Sequence, residues 1–90
     1  MMVHVRMIVS GLVQGVSYRA ATRLRAHHLG VKGIVRNEPN GDVYIEAEAE
    51  EEILHRFIKW CNEGPPLAEV EKVDLELGPL KNYADFQIIR

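Results

Sequence analysis

The residues whose types and spacing suit chemistry lie in one short stretch, Gly11-Leu12-Val13-Gln14-Gly15-Val16-Ser17-Tyr18-Arg19, with Asn37 further along the chain. The stretch reads as a loop joining a strand to the N-terminus of a helix. Such a junction suits an anion, because the first N–H groups of a helix have no intrahelical acceptor and the aligned peptide dipoles bring positive charge to the same end. Gly15 permits a sharp turn and lets the backbone approach a ligand with no Cβ in the way. Arg19, in the first helical turn, opposes the helix dipole, and a bound phosphate reverses the sign of that interaction. Spacing alone leaves a second reading open, a glycine-containing loop whose arginine points into solvent.

Asn37 converges on the same place by topology. In a right-handed βαβ crossover the two strands run parallel, so the C-terminal end of the second strand lies at the same sheet edge as the loop that follows the first. A carboxamide there can accept from a water and donate to a developing oxyanion. Followed by Glu38-Pro39, the same asparagine also reads as a turn former. No convincing His, Asp or Glu partner falls beside the loop as a general base.

The elements that must hold these residues follow from hydrophobic period. Val3, Val5, Met7 and Val9 alternate as a strand; Arg19 to Leu29 forms a helix with Tyr18, Thr22, Ala26 and Leu29 inward, stopped by Gly30; Val31 to Asn37 forms the second strand. Glu38-Pro39-Asn40-Gly41 makes a hairpin turn into a third strand, where Val43, Ile45, Ala47 and Ala49 face a core and Tyr44, Glu46 and Glu48 form an acidic, wet face. Glu50-Glu51-Glu52 opens a second helix with Ile53, Leu54, Phe57, Ile58 and Cys61 at helical spacing, and Gly64-Pro65-Pro66 ends it. Val70, Val73, Leu75 and Leu77 predict a fourth strand, with a bulge or a late start because the 70 to 73 step breaks the alternation, and Phe86, Ile88 and Ile89 a short closing one. The order is β-α-β-β-α-β plus a small C-terminal strand. It predicts an α+β, ferredoxin-like split βαβ fold, an antiparallel or mixed sheet with two helices on one face, as a single domain over residues 1–90.

Composition bounds the function. Ninety residues with 47% hydrophobic and 27% charged side chains make an ordinary globular chain. Eleven Lys plus Arg against 13 Asp plus Glu, a net charge of −2, argue against a nucleic-acid binder. The single Cys61 forms no internal disulfide and belongs to no zinc-ligand pattern. The N-terminus lacks signal-peptide features and no apolar run is long enough to span a membrane, so the chain reads as a cytoplasmic protein.

Two segments carry a resemblance. Ser10-Gly11-Leu12-Val13-Gln14-Gly15-Val16-Ser17-Tyr18-Arg19 resembles the G-x-V-Q-G-V-x-[F/Y]-R signature of the acylphosphatases, and Leu29-Gly30-Val31-Lys32-Gly33-Ile34-Val35-Arg36-Asn37 resembles their second signature, L-G-[hydrophobic]-x-G-[aromatic]-V-R-N. Gly64-Pro65-Pro66, then Ala68, Val70 and Val73, match as well. The resemblance covers essentially the whole chain. It implies a monomeric hydrolase that splits the carboxyl-phosphate anhydride of a small-molecule acyl phosphate into a carboxylate and inorganic phosphate, with no cofactor and no metal. It further implies that Gln14, Gly15, Val16, Ser17, Tyr18 and Arg19 form the substrate-binding loop, that Arg19 holds the phosphate and that Asn37 orients the attacking water. Leu12, Ser17, Tyr18, Ile34 and Asn40 depart from the family's usual residues without removing a proposed catalytic group.

The remaining candidates read as structure. His27 and His28 point about 100° apart on a helix, and His4 and His55 fall on other elements. The run Glu46, Glu48, Glu50, Glu51, Glu52 spreads over different faces as a solvated surface, and Phe57, Trp60 and Cys61 read as packing. An RNA-reading sheet needs stacking aromatics where this one carries Glu46 and Glu48. A regulatory module that binds an anion without turnover stays open as the rival class.

Overall fold

The computed structural model describes all 90 residues, Met1–Arg90. Its elements are β1 (Met2–Leu12), α1 (Tyr18–Leu29), β2 (Lys32–Asn37), β3 (Val43–Glu50), α2 (Glu51–Glu63), β4 (Glu69–Gly78) and β5 (Phe86–Ile88). They form one five-stranded sheet in the order β4-β1-β3-β2-β5, in which β2 and β5 run parallel and every other neighbouring pair is antiparallel. The split βαβ arrangement is therefore present, and the short closing strand makes the sheet a mixed one.

Alternation along β1 sends Val5, Met7 and Val9 into the core while Arg6 and Ile8 stay exposed on the opposite face. β3 supplies Val43, Ile45, Ala47 and Ala49 to the same core. Two helical stripes cover it: Leu54, Phe57 and Cys61 from α2, and Tyr18, Thr22 and Ala26 from α1. Phe57 meets Phe86 of β5 edge to face at 5.8 Å, which ties the closing strand to the far helix. α1 ends as its sequence dictates: Gly30 takes a left-handed conformation, and the N–H groups of Gly30 and Val31 donate to the carbonyls of His27 and Ala26. The irregular step in β4 is a bulge. Ser10 faces Lys72 and Gly11 faces Val70, leaving Glu71 as the extra residue.

One expectation fails. Glu46 and Glu48 do not form a wet face; both are buried, and so is His4 beside them, at 5%, 2% and 1% exposure. The segment between β4 and β5 folds back over this end of the sheet and roofs it. His4 Nδ1 lies 2.7 Å from a Glu48 carboxylate oxygen, and its Nε2 lies 3.2 Å from Glu46. The backbone N–H groups of Lys81 and Tyr83 donate to Glu48, while the Tyr44 and Tyr83 hydroxyls and the Lys81 ammonium bond Glu46. Charge is thus buried because it is partnered on nearly every side.

Burial pushes both carboxyls up, but the hydrogen bonds to their ionised forms outweigh it and hold Glu46 and Glu48 below the ordinary glutamate value. Their stabilisation is therefore complete above the unfolded value, near 4.5, and is lost as pH falls through the lower folded values. Glu48→Gln is expected to lower stability in urea at pH 7 by about 2 kcal/mol. It should also flatten the loss of stability on acidification; an unchanged acid limb would mean that other carboxyls carry it.

Candidate active site

β1 and β2 each pair antiparallel with β3, so they run parallel to one another and end at the same edge of the sheet. The register makes this close: Val9 and Asn37 face Val43 from its two sides. From the end of β1 the chain crosses this edge through residues 13–17 into α1. A cleft of about 210 Å³ opens there, lined by Gln14, Gly15, Ser17, Tyr18 and Arg19 from the loop and first helical turn, by Asn37 from β2 and Ile88 from β5, and closed by Val13 and Ala20. No carboxylate or imidazole lines it.

The loop leaves its donors free. Ala21 N–H, bonded to the Ser17 carbonyl, is the first amide of α1 to find a backbone acceptor, and none from Gly15 to Ala20 does so. Two left-handed residues shape this crest, Gly15 at φ 75° and Ser17 at φ 65°. A Cβ on Gly15 would meet nothing within 4 Å, so its backbone angle, not crowding, is what calls for glycine. Ser17 occupies the N-cap of α1 but makes no capping hydrogen bond through its side chain. It therefore carries the cost of a left-handed backbone without the compensation an N-cap serine ordinarily brings.

The six loop residues have different duties. The Gln14 carboxamide donates to the carbonyls of Glu38 and Asp42, each at 2.8 Å, and so fastens the loop to the β2–β3 turn. Sequence reasoning placed Gln14 in the binding loop but did not find this bond, since its acceptors are backbone groups. Tyr18 is buried; its ring packs on Trp60 and its hydroxyl donates to the Cys61 carbonyl at 2.6 Å. Burial, with the neighbouring Cys61 thiol adding to it, drives the Tyr18 hydroxyl far above its usual pKa. Val16 turns its side chain toward the core and does not line the cleft. Arg19 is half-buried, lines the cleft and forms no ion pair with any carboxylate. Asn37 is half-buried too, and its Oδ1 is a buried acceptor with no hydrogen-bond partner in the protein.

A ferredoxin-like fold with a crest of unpaired amides, an arginine without an ion pair and an unsatisfied carboxamide oxygen at one sheet edge defines a small α+β protein with a polar cleft. Residues 5–88 match the family model described as Acylphosphatase. The chain is 46% identical to an acylphosphatase of Acaryochloris marina over 92% of its own length and 89% of that protein's. It superposes on the crystal structure of an acylphosphatase from Bacillus subtilis with a TM-score of 0.95, at 31% identity and complete coverage of both chains. The structure of an acylphosphatase from Coxiella burnetii gives 0.94 at 35% identity, over 98% of this chain and 93% of that one. The chain belongs to the acylphosphatase family, and it is an enzyme of that hydrolase class.

Relief of the Ser17 backbone is measurable. Ser17→Gly is expected to stabilise the protein by about 0.5 to 1 kcal/mol, because glycine adopts φ near 65° without the Cβ penalty. Chemical denaturation checks this, and a loss of stability would mean that the serine makes an interaction the backbone angle does not reveal.

Proposed function

We propose that this protein hydrolyses the carboxyl-phosphate anhydride of acyl phosphates, that the Gln14–Arg19 loop holds the phosphoryl group and that Asn37 orients the attacking water. The observation that carries this reading is the buried Asn37 Oδ1, an acceptor without a protein donor, beside the cleft that Arg19 lines. A buried carbonyl left unpaired costs about 1 to 3 kcal/mol. A water O–H satisfies it, and the same bond turns the water's lone pair toward a phosphorus held in the loop.

In this mechanism the amides from Gly15 to Ala20 and the Arg19 guanidinium neutralise the phosphoryl oxygens, and the helix dipole adds to them. The water oxygen bonds to phosphorus while the bond from phosphorus to the acyl oxygen breaks, and the carboxylate departs with the electron pair. The water's proton passes to a phosphoryl oxygen of the substrate, since no carboxylate or imidazole of the cleft stands ready to take it. A carboxylate is a good leaving group. Positioning and electrostatics therefore suffice for a reaction that enlists no general base.

Hydrolysis of benzoyl phosphate without added metal tests the roles, with folding followed by circular dichroism. Arg19→Ala and Asn37→Ala are each expected to lower kcat/KM by at least about a hundredfold while remaining folded. In phosphate-free buffer Arg19→Ala should change stability by no more than about 0.5 kcal/mol, because the side chain opposes the helix dipole and has no ion-pair partner. A folded wild type without turnover that phosphate nevertheless stabilises would replace the enzyme reading with an anion-binding module. The kcat/KM profile should show no enzyme base titrating near neutrality, and a limb there that Asn37→Ala leaves in place would overturn substrate-assisted proton transfer.

A further inference from the structure

The cleft at the head of α1 does not stop at Arg19. A second cleft of about 450 Å³ runs on from it along the helix; Ala20 and Ile88 line both, and Arg23, Leu24 and His27 complete its walls. Arg19, Arg23 and His27 are four residues apart in turn, so they form one stripe down α1, each about 6 Å beyond the last. Leu24 and Ile88, 58% and 39% exposed, lie beside the stripe as an apolar floor.

The charge on this helix is one-sided. α1 contains three arginines, two histidines and no acidic residue, in a chain whose net charge is −2. Like charges four residues apart weaken a helix, and a glutamate at such a position would relieve them. α2 uses that device, pairing Glu52 with Arg56, whereas Arg19 and Arg23 have no carboxylate partner at all. An exposed face that forgoes an available stabilisation next to a cleft has the character of a binding surface.

We infer that Arg23 and His27 form a subsite for a terminal carboxylate on the acyl part of the substrate. The preferred substrate class is then the monoacyl phosphate of a short dicarboxylic acid, its phosphoryl group at Arg19, its methylenes over Leu24 and Ile88, and its free carboxylate one helical turn along. Arginine suits that end because its planar fork meets a carboxylate with two parallel hydrogen bonds. The inference rests on the acyl-phosphate reading of the neighbouring cleft and adds which acyl groups that cleft selects.

Succinyl phosphate and butyryl phosphate separate the two ideas, because their acyl chains match in carbon number and differ in the terminal carboxylate. At low ionic strength and pH 7 wild type is expected to favour succinyl phosphate in kcat/KM, and Arg23→Ala to lower the succinyl-to-butyryl ratio by about fivefold. Arg25→Ala is the control: it removes the same charge from the same helix, but its guanidinium sits 5.8 Å from the Trp60 ring, away from this cleft. The ratio should survive that change. A ratio indifferent to Arg23, or lowered equally by both variants, overturns the subsite while leaving acyl-phosphate hydrolysis intact. Turnover of neither compound by folded wild type overturns the hydrolytic reading and the subsite with it.

Discussion

Everything in the site depends on β1 and β2 sharing β3 as their antiparallel partner. That pairing makes the two outer strands parallel, brings the end of β1 and Asn37 to one edge, and sets Val9 and Asn37 against Val43. A slip of one residue in β2 would turn Asn37 to the opposite face of the sheet and bury its neighbour in its place. Gln14 locks the arrangement from the loop side, since its two hydrogen bonds end on Glu38 and Asp42, which flank the turn leaving β2. The strand that carries the asparagine and the loop that carries the arginine are thus held by one amide as well as by the sheet.

The sequence made the element order legible wherever periodicity had one meaning. Val5, Met7 and Val9 could be a strand and Leu54, Phe57 and Cys61 a helix, and the structure has both; the broken step between Val70 and Val73 allowed a bulge or a late start, and the structure has the bulge. The burial of Glu46 and Glu48 is not legible in the sequence, because alternation reports only that two faces of a strand differ. It says nothing of a later segment that covers one of them, and Lys81 and Tyr83 belong to a stretch with no period. At the site, the placing of Arg19 and Asn37 at one sheet edge follows from the parallel run of the two strands that the crossover joins. The fastening by Gln14 did not, because its acceptors are carbonyls that every residue possesses. Tyr18 belongs both to the inner face of a helix and to a loop motif; its ring packs on Trp60 and its hydroxyl bonds the Cys61 carbonyl, while the residue also borders the cleft.

The molecule also sorts its charge. Two carboxylates on the far face of the sheet are held by contacts with His4, Lys81 and two tyrosines, whereas the arginines of α1 form no ion pair. A chain with more acidic than basic residues therefore presents a positive field locally, along α1. Net charge alone hides this, because it sums groups that are electrostatically satisfied with groups that are not.

The strand pairing has a kinetic consequence. β1 pairs with nothing near it in the chain: Met2 meets Glu50, and Leu12 meets Glu69. Only the β2–β3 turn closes a local hairpin, so most of the sheet forms by joining segments distant in sequence, which slows folding. The crest of free amides gains its shape only when β1 has found β3 and Gln14 has reached the carbonyls beyond β2. No fragment and no half-built sheet contains it. An anion that binds only the assembled crest favours the native chain over the unfolded one by mass action, so it stabilises the finished protein as a whole and no part of it alone.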